Sequence, residues 1–69
     1  MTDYGTSSGY TTKTLYRGND RMYFEASQGL VTSARYYDSY TRVESAVGCE
    51  RGRTIDKAVT AYKSNGWAE

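Results

Sequence analysis

Residues 10–35 read YTTKTLYRGNDRMYFEASQGLVTSAR and determine the fold. Three segments rich in tyrosine, threonine and valine are separated by two turn sequences, GND at 18–20 and QG at 28–29. β-Branched and aromatic residues favour extended backbone, whereas glycine and asparagine tolerate the positive φ of tight turns. The spacing therefore predicts an antiparallel meander of three strands. These strands cover residues 10–17, 21–27 and 30–35.

The hydrophobic period changes after this meander. Ser39 is a suitable helix N-cap, and Tyr40, Val43 and Val47 then fall at i, i+3 and i+7. Gly52 is a natural helix stop. We therefore expect a helix between Ser39 and Gly52 that packs on one face of the meander.

The C-terminal segment predicts a second, shorter helix. Thr54 is a candidate N-cap, and Lys63 suits the last turn because cations favour a helix C-terminus. The apolar positions fit the i, i+3, i+4, i+7 pattern. They are Ile55, Ala58, Val59 and Tyr62.

The length of 69 residues predicts a single α+β domain. We interpret residues 1–9, rich in glycine, serine and threonine, as a flexible tail and residues 10–69 as the domain. A chain of this size buries only about 60% of its unfolded surface, so its stability is marginal. The single cysteine, Cys49, cannot form an intramolecular disulfide. A homodimer is therefore the expected source of additional stability.

Charge and hydropathy narrow the classes of partner. The 9 basic and 8 acidic residues are evenly spread and give a net charge of +1. A duplex-binding domain usually concentrates its cations, which is not the case here. The sequence contains no apolar run long enough for a membrane span and no signal-peptide pattern at its start, so we expect a cytoplasmic protein without membrane contact.

The residue types for catalysis or metal binding are scarce. The sequence has no histidine and one cysteine, which is too few ligands for a zinc site, and we expect no cofactor. Cys49 lacks a histidine base, so a small residue beside the core is its expected role. The carboxylates Asp38, Glu44 and Glu50 are expected to be solvated rather than paired as acid and base. We therefore do not expect an enzyme.

Tyrosine is the distinctive residue, with eight copies in the chain. Tyrosine and arginine are enriched at the centres of protein interfaces. We predict an interaction surface made of Tyr23, Arg35, Tyr36 and Tyr40. Adjacent strand residues face opposite sides of a sheet, and we expect Tyr37 to point inward and Tyr36 outward.

A series of short apolar and polar motifs extends from Leu15 to Arg53. The motif positions are Leu15-Tyr16-Arg17, Met22-Tyr23-Phe24, Gln28-Gly29, Leu30-Val31-Thr32-Ser33, Tyr37, Ser39, Glu44, Ala46, Val47 and Arg51. At these positions the chain resembles the YegP-like family of small bacterial and archaeal proteins, and the resemblance includes no catalytic signature. Glu50 departs from the pattern, because the family places a buried valine there. The resemblance implies frequent pairing of units and a strand after the helix, so a fourth strand over residues 54–64 remains the alternative to the C-terminal helix.

These observations predict a small non-catalytic module for protein–protein interaction or assembly. We expect self-association and one further protein partner, and a phage or mobile-element inhibitor of a host complex would fit this size. The alternative is a weak binder of single-stranded nucleic acid that uses its tyrosines and arginines.

Overall fold

The computed structural model describes residues 9–69. In this range the chain forms four strands, a short 3-10 helix and one α-helix. They are β1 (Tyr10–Arg17), β2 (Asp20–Ser27), β3 (Leu30–Asp38), β4 (Val43–Ala46), the 3-10 helix Gly48–Glu50 and α1 (Ile55–Lys63). The strands form one antiparallel sheet in the order β1-β2-β3-β4. The α+β class and the three predicted strands are confirmed, within a sheet of four; of the predicted tail only Gly9 belongs to the described residues.

The two turns of the meander lie where the sequence predicts them. Gln28 and Gly29 connect β2 to β3 with φ values of 56° and 81°. Two consecutive positive φ angles are typical of the type I′ turn, whose twist matches that of the flanking strands. This turn brings Leu30 opposite Ser27 and starts the pairing of β2 with β3.

The predicted helix between Ser39 and Gly52 is wrong, because β4 and the 3-10 helix occupy this stretch. Asp38 Oδ1 accepts the backbone N–H of Tyr40 at 2.9 Å, which stabilises a turn instead of a helix start. Arg42 then adopts a φ of 61°, which reverses the chain into β4. Ser39 does not act as a helix N-cap, since its backbone N–H and hydroxyl both donate to the Asp20 carboxylate.

The C-terminal helix is confirmed as α1. Thr54 is its N-cap and accepts the backbone N–H of Lys57 at 3.3 Å. Ile55, Ala58 and Val59 are buried against the sheet. The alternative with a fourth strand is right in the number of strands, but β4 supplies that strand before α1 rather than over residues 54–64.

After α1 the chain returns to β1. Gly66 has a φ of 92°, and the following Trp67 is only 5% exposed. Ala68 and Tyr16 exchange two backbone hydrogen bonds of 2.7 and 2.8 Å. The C-terminal residues therefore fasten the end of α1 to the outer edge of β1.

Within residues 9–69 one hydrophobic core lies between α1 and one face of the sheet. Its largest fully buried side chain is Phe24, at the centre of β2. The buried apolar residues are Leu15, Met22, Phe24, Ala26, Val31, Ala34, Ile55, Ala58, Val59 and Trp67. Tyr36, Val47 and Tyr62 pack around this cluster and remain partly exposed.

A β-bulge in β3 decides which residues reach the core. Ala26 pairs with Val31 and Glu25 with Ser33, so Thr32 is an extra residue on β3. A bulge reverses the alternation of side chains beyond it. Val31 and Ala34 are therefore both buried, although they are three residues apart.

Candidate interaction surface

The two faces of the sheet differ in what covers them. The covered face carries Leu15, Met22 and Phe24 and packs against α1. On the opposite side, which we call the open face, no helix or loop between residues 9 and 69 contributes to a core. An antiparallel sheet commonly has one solvated face, and such a face is usually polar.

The open face has two rows of side chains that cross the sheet. The strand register places Tyr16 opposite Arg21, Arg21 opposite Tyr37, and Tyr37 opposite Glu44. The next row contains Thr14, Tyr23, Arg35 and Ala46. Aromatic rings and guanidinium groups thus alternate over neighbouring strands, and the Arg21 guanidinium carbon lies 4.7 Å from the centroid of the Tyr37 ring. These side chains border a shallow concavity of about 300 Å³.

The charges of the open face are balanced. Arg21 and Arg35 are matched by Glu25 and Glu44, so the formal charges of these strand residues cancel. Glu25 also accepts a hydrogen bond from the Tyr10 hydroxyl at 2.5 Å, which raises the pKa of Tyr10 to about 12. The Tyr10 hydroxyl therefore keeps its proton and remains bonded to Glu25 at physiological pH.

The structure brings together only two of the four residues predicted for the interaction surface. Tyr23 and Arg35 are direct cross-strand neighbours on the open face. Tyr40 lies in the β3–β4 turn and is 93% exposed. Tyr36 lies on the covered face, so the predicted orientation of Tyr36 and Tyr37 is wrong: Tyr36 packs against the core and Tyr37 points to the open face.

The missed residues of the open face are Tyr16, Arg21 and Tyr37. A sequence signal existed for Arg21, because it lies two residues before Tyr23 on a strand whose inward residues, Met22 and Phe24, are evident. No comparable signal existed for Tyr37, since simple alternation from the buried Val31 also predicts it to point inward. The bulge at Thr32 reverses that alternation.

Tyr36 joins a polar network at the edge of the covered face. Its hydroxyl donates to Asp20 Oδ2 at 2.6 Å, and the Ser39 hydroxyl donates to Asp20 Oδ1 at 2.6 Å. Together with the Ser39 backbone N–H, these bonds lower the pKa of Asp20 from 3.8 to about 2, the Ser39 hydroxyl contributing most. The network connects β2 to the start of the β3–β4 turn and therefore has a structural role.

A second cleft, of about 490 Å³, lies on the covered side beyond the end of α1. Trp67 forms one wall, with the Arg17 guanidinium carbon 4.6 Å from its ring centroid. Glu50, 5% exposed, accepts hydrogen bonds from Arg53 and from the Tyr62 hydroxyl. Burial and this carboxylate raise the pKa of Tyr62 to about 12. Each carboxylate oxygen of Glu50 thus accepts a hydrogen bond from a side chain of the same chain, which indicates a structural role.

The other candidate groups lie at the end of β3, in β4 and in the 3-10 helix. Glu44 belongs to the open face, and Asp38 stabilises the β3–β4 turn. Glu50 is buried, so its predicted exposure to solvent is wrong. Cys49 is exposed in the 3-10 helix, so its expected place beside the core is wrong. No hydrogen bond or ion pair links these four residues to one another in the described part of the chain.

Residues 9–69 contain no group of three or more histidine, cysteine, aspartate or glutamate side chains placed to hold a metal ion. None of the helices in this range is long and apolar enough to cross a membrane. Comparisons with protein-family models, with curated proteins and with solved structures found no significant match to this chain. The resemblance to the YegP-like family therefore stays a prediction.

Proposed function

We propose that this chain is a non-catalytic module for protein–protein interaction that binds its partner through the open face. The observation that carries the proposal is the alternation of tyrosine and arginine across β1, β2 and β3 on a face that no described element covers. Threonine, lysine and glutamate would suffice to keep such a face in solution. Rings in this position have no role in the core, and their role is therefore assigned to binding.

Physical chemistry supports a protein as the partner. Tyrosine offers a large contact area with few rotatable bonds, and arginine offers several donors in a planar group. Both residue types dominate the central hot spots of protein interfaces. Tyr23 is central on this face, since it lies between Thr14 on β1 and Arg35 on β3.

The charge balance favours a protein over a nucleic acid. Binding to a polyanion relies on an excess of cations that displaces condensed counterions. On the open face Glu25 and Glu44 offset Arg21 and Arg35, so this excess is absent. A protein surface, which carries charges of both signs, fits such a balanced face better.

Single-stranded nucleic acid is the second candidate, and one observation supports it. Tyr16, Tyr23 and Tyr37 lie on adjacent strands, as stacking residues do in sheet-based binders of single strands. This reading requires an affinity for oligonucleotides that falls steeply with salt. Fluorescence titration of the tyrosines with an oligonucleotide at low and high salt measures that dependence.

The experiment that tests the proposal is affinity purification from the native host, washed at low and at high salt and repeated after nuclease treatment. We expect one protein partner that survives both treatments. The Tyr23→Thr variant, which keeps a strand-favouring residue, is expected to lose that partner while remaining folded. Loss of all binding after nuclease treatment contradicts the proposal and supports the nucleic-acid alternative.

The biological setting is part of the proposal. The exposed free thiol of Cys49 fits a reducing compartment such as the cytoplasm, and cell fractionation tests this placement. Inhibition of a host complex by a phage or mobile-element product stays a prediction. Capture of a host complex whose activity decreases on binding would support it, and an unchanged activity would contradict it.

A further inference from the structure

The outer edge of β4 has backbone groups without a partner within residues 9–69. Val47 N–H donates to Ala34 O at 2.8 Å, which fixes the alternation of the β3–β4 ladder. In an antiparallel ladder every second residue bonds to the same neighbour, so Ser45 faces β3 while Glu44 and Ala46 direct their N–H and C=O groups outward. At the other edge of the sheet, Ala68 already occupies the Tyr16 end of β1.

We infer that two copies of this chain pair through β4, antiparallel and centred on Ser45, with reciprocal Arg35–Glu44 ion pairs between the copies. The inference rests on the proposed function as a protein–protein interaction module and names a second copy as one partner. A two-fold axis perpendicular to the sheet joins the two open faces side by side. Each copy then contributes four strands to one continuous sheet.

Electrostatics and geometry select this register among the neighbouring ones. Centring on Glu44 places carboxylate opposite carboxylate, which is unfavourable. Centring on Ala46 brings Glu44 opposite Gly48, which has already left the strand for the 3-10 helix. Centring on Ser45 pairs Glu44 with Ala46 of the second copy in both directions, so the outward N–H and C=O groups of both residues are satisfied.

The open face provides charge complementarity in this register. Arg35 lies beside Ala46, and Glu44 of the second copy follows on the next strand. The two Cα atoms are separated by two strand spacings, about 9.6 Å, which the long arginine and glutamate side chains can span above the small Ala46. Arg35 and Glu44 are exposed, and neither side chain forms a hydrogen bond or ion pair with the described residues.

Pairing in this register also brings apolar side chains of the two copies together on the covered side of β4. The Ser45-centred register places Val43 opposite Val47 of the second copy. Val43 is 54% exposed, and Val47 packs at the margin of the core. Two symmetric valine contacts therefore accompany the two ion pairs, and an exposed apolar side chain on the edge strand becomes buried.

Charge exchange tests this pairing directly. Sedimentation velocity over a concentration series would compare the wild type with Arg35→Glu, Glu44→Arg and the double variant. We expect a wild-type dimer, dissociation constants raised at least about tenfold in each single variant, and recovery in the double variant. A monomeric wild type, or a double variant as weak as the single ones, overturns the inference.

A backbone test is independent of charge. The Ala46 N–H points outward, so Ala46→Pro removes a hydrogen-bond donor from the dimer without removing one from the β3–β4 ladder. Ala46→Val is the matched control, and circular dichroism confirms the fold of each variant. We expect the proline variant to be monomeric and the valine variant dimeric; equal dimerisation of both contradicts edge pairing.

The outcomes separate this inference from the proposed function. If substitutions in β4 leave the dimerisation unchanged but Tyr23→Thr dissociates the dimer, edge pairing is overturned and the open face is supported as the self-association surface. A monomer that still captures a protein partner overturns the dimer alone. A dimer with the charge-exchange pattern that captures no partner supports the inference and contradicts the partner-binding part of the proposal.

Discussion

The covered and the open side of the sheet have similar numbers of aromatic rings, in different surroundings. On the covered side Phe24 and Tyr36 of the sheet, Tyr62 of α1 and Trp67 form a chain of edge-to-face contacts with ring-centroid distances of 5.3 to 5.9 Å. On the open face Tyr16, Tyr23 and Tyr37 lie beside threonine and arginine. Composition alone therefore does not distinguish core rings from exposed rings in this chain; strand position does, and on β3 the bulge at Thr32 sets that position.

The largest effect is expected at the centre of the covered face. Phe24 is fully buried and contacts Tyr62 edge-on, so Phe24→Ala should reduce the free energy of unfolding by about 3–5 kcal/mol. Tyr23→Ala, one residue away on the open face, should cost less than about 1 kcal/mol. Urea unfolding at one protein concentration measures both. Equal losses would show that the open face is also part of the folding core.

The consecutive tyrosines provide a sharper version of this comparison. Tyr36 packs on Trp67 at 5.8 Å and donates to Asp20, so Tyr36→Ala should destabilise the fold by about 2–3 kcal/mol. Tyr37→Ala should have a smaller effect on unfolding, below about 1 kcal/mol, and should weaken partner binding. The reverse order in thermal melts would mean that β3 alternates without the bulge at Thr32.

Acid should weaken the covered face selectively. Because the pKa of Asp20 is about 2 in the folded protein and 3.8 ordinarily, its hydrogen bonds stabilise the fold fully above 3.8 and less as the pH falls toward 2. Asp20→Asn cannot titrate and should flatten the stability profile between pH 4 and pH 2. Glu69, whose pKa is also about 2 because of Lys13 and Lys63, should retain a residual slope. An unchanged profile in Asp20→Asn would contradict a role for the network.

The smallest effect is expected at Cys49, which belongs to neither face. The side chain is exposed, so Cys49→Ser should change stability by less than about 0.5 kcal/mol and leave binding intact. Thermal melts and partner capture measure the two quantities. Loss of binding in a folded variant would indicate a thiol-dependent interaction.

The sequence predicts the local features of this fold well and its long-range features poorly. Turn residues and strand propensity are local, so the meander and the capped helix α1 were predictable. The failure between Ser39 and Gly52 has a distant cause, because the Asp20 carboxylate binds Ser39 and leaves it unable to cap a helix. The bulge at Thr32 also could not be predicted from local sequence, because it is defined by the pairing of β3 with β2.

The same limits apply to the prediction of the candidate surface from sequence. Tyr23 was predictable because it lies between the evident inward residues Met22 and Phe24, whereas Arg35 was predicted from its residue type, since it lies beyond the bulge and simple alternation from Val31 points it inward. The predicted orientations of Tyr36 and Tyr37 were inverted because the bulge lies between these residues and the last evident inward residue, Val31. Tyr40 was assigned to a helix that does not form. Strand pairing, not residue type, decides which tyrosines are exposed on the open face.

The most direct test replaces Tyr16, Tyr23 and Tyr37 together by threonine, and measures the thermal unfolding and the partner capture of the same preparation. Threonine keeps the strand propensity of the open face while it removes the rings. We expect a folded protein with a nearly unchanged melting temperature that no longer captures its partner. A protein that unfolds, or one that remains folded and still captures the partner, would contradict the assignment of binding to the open face.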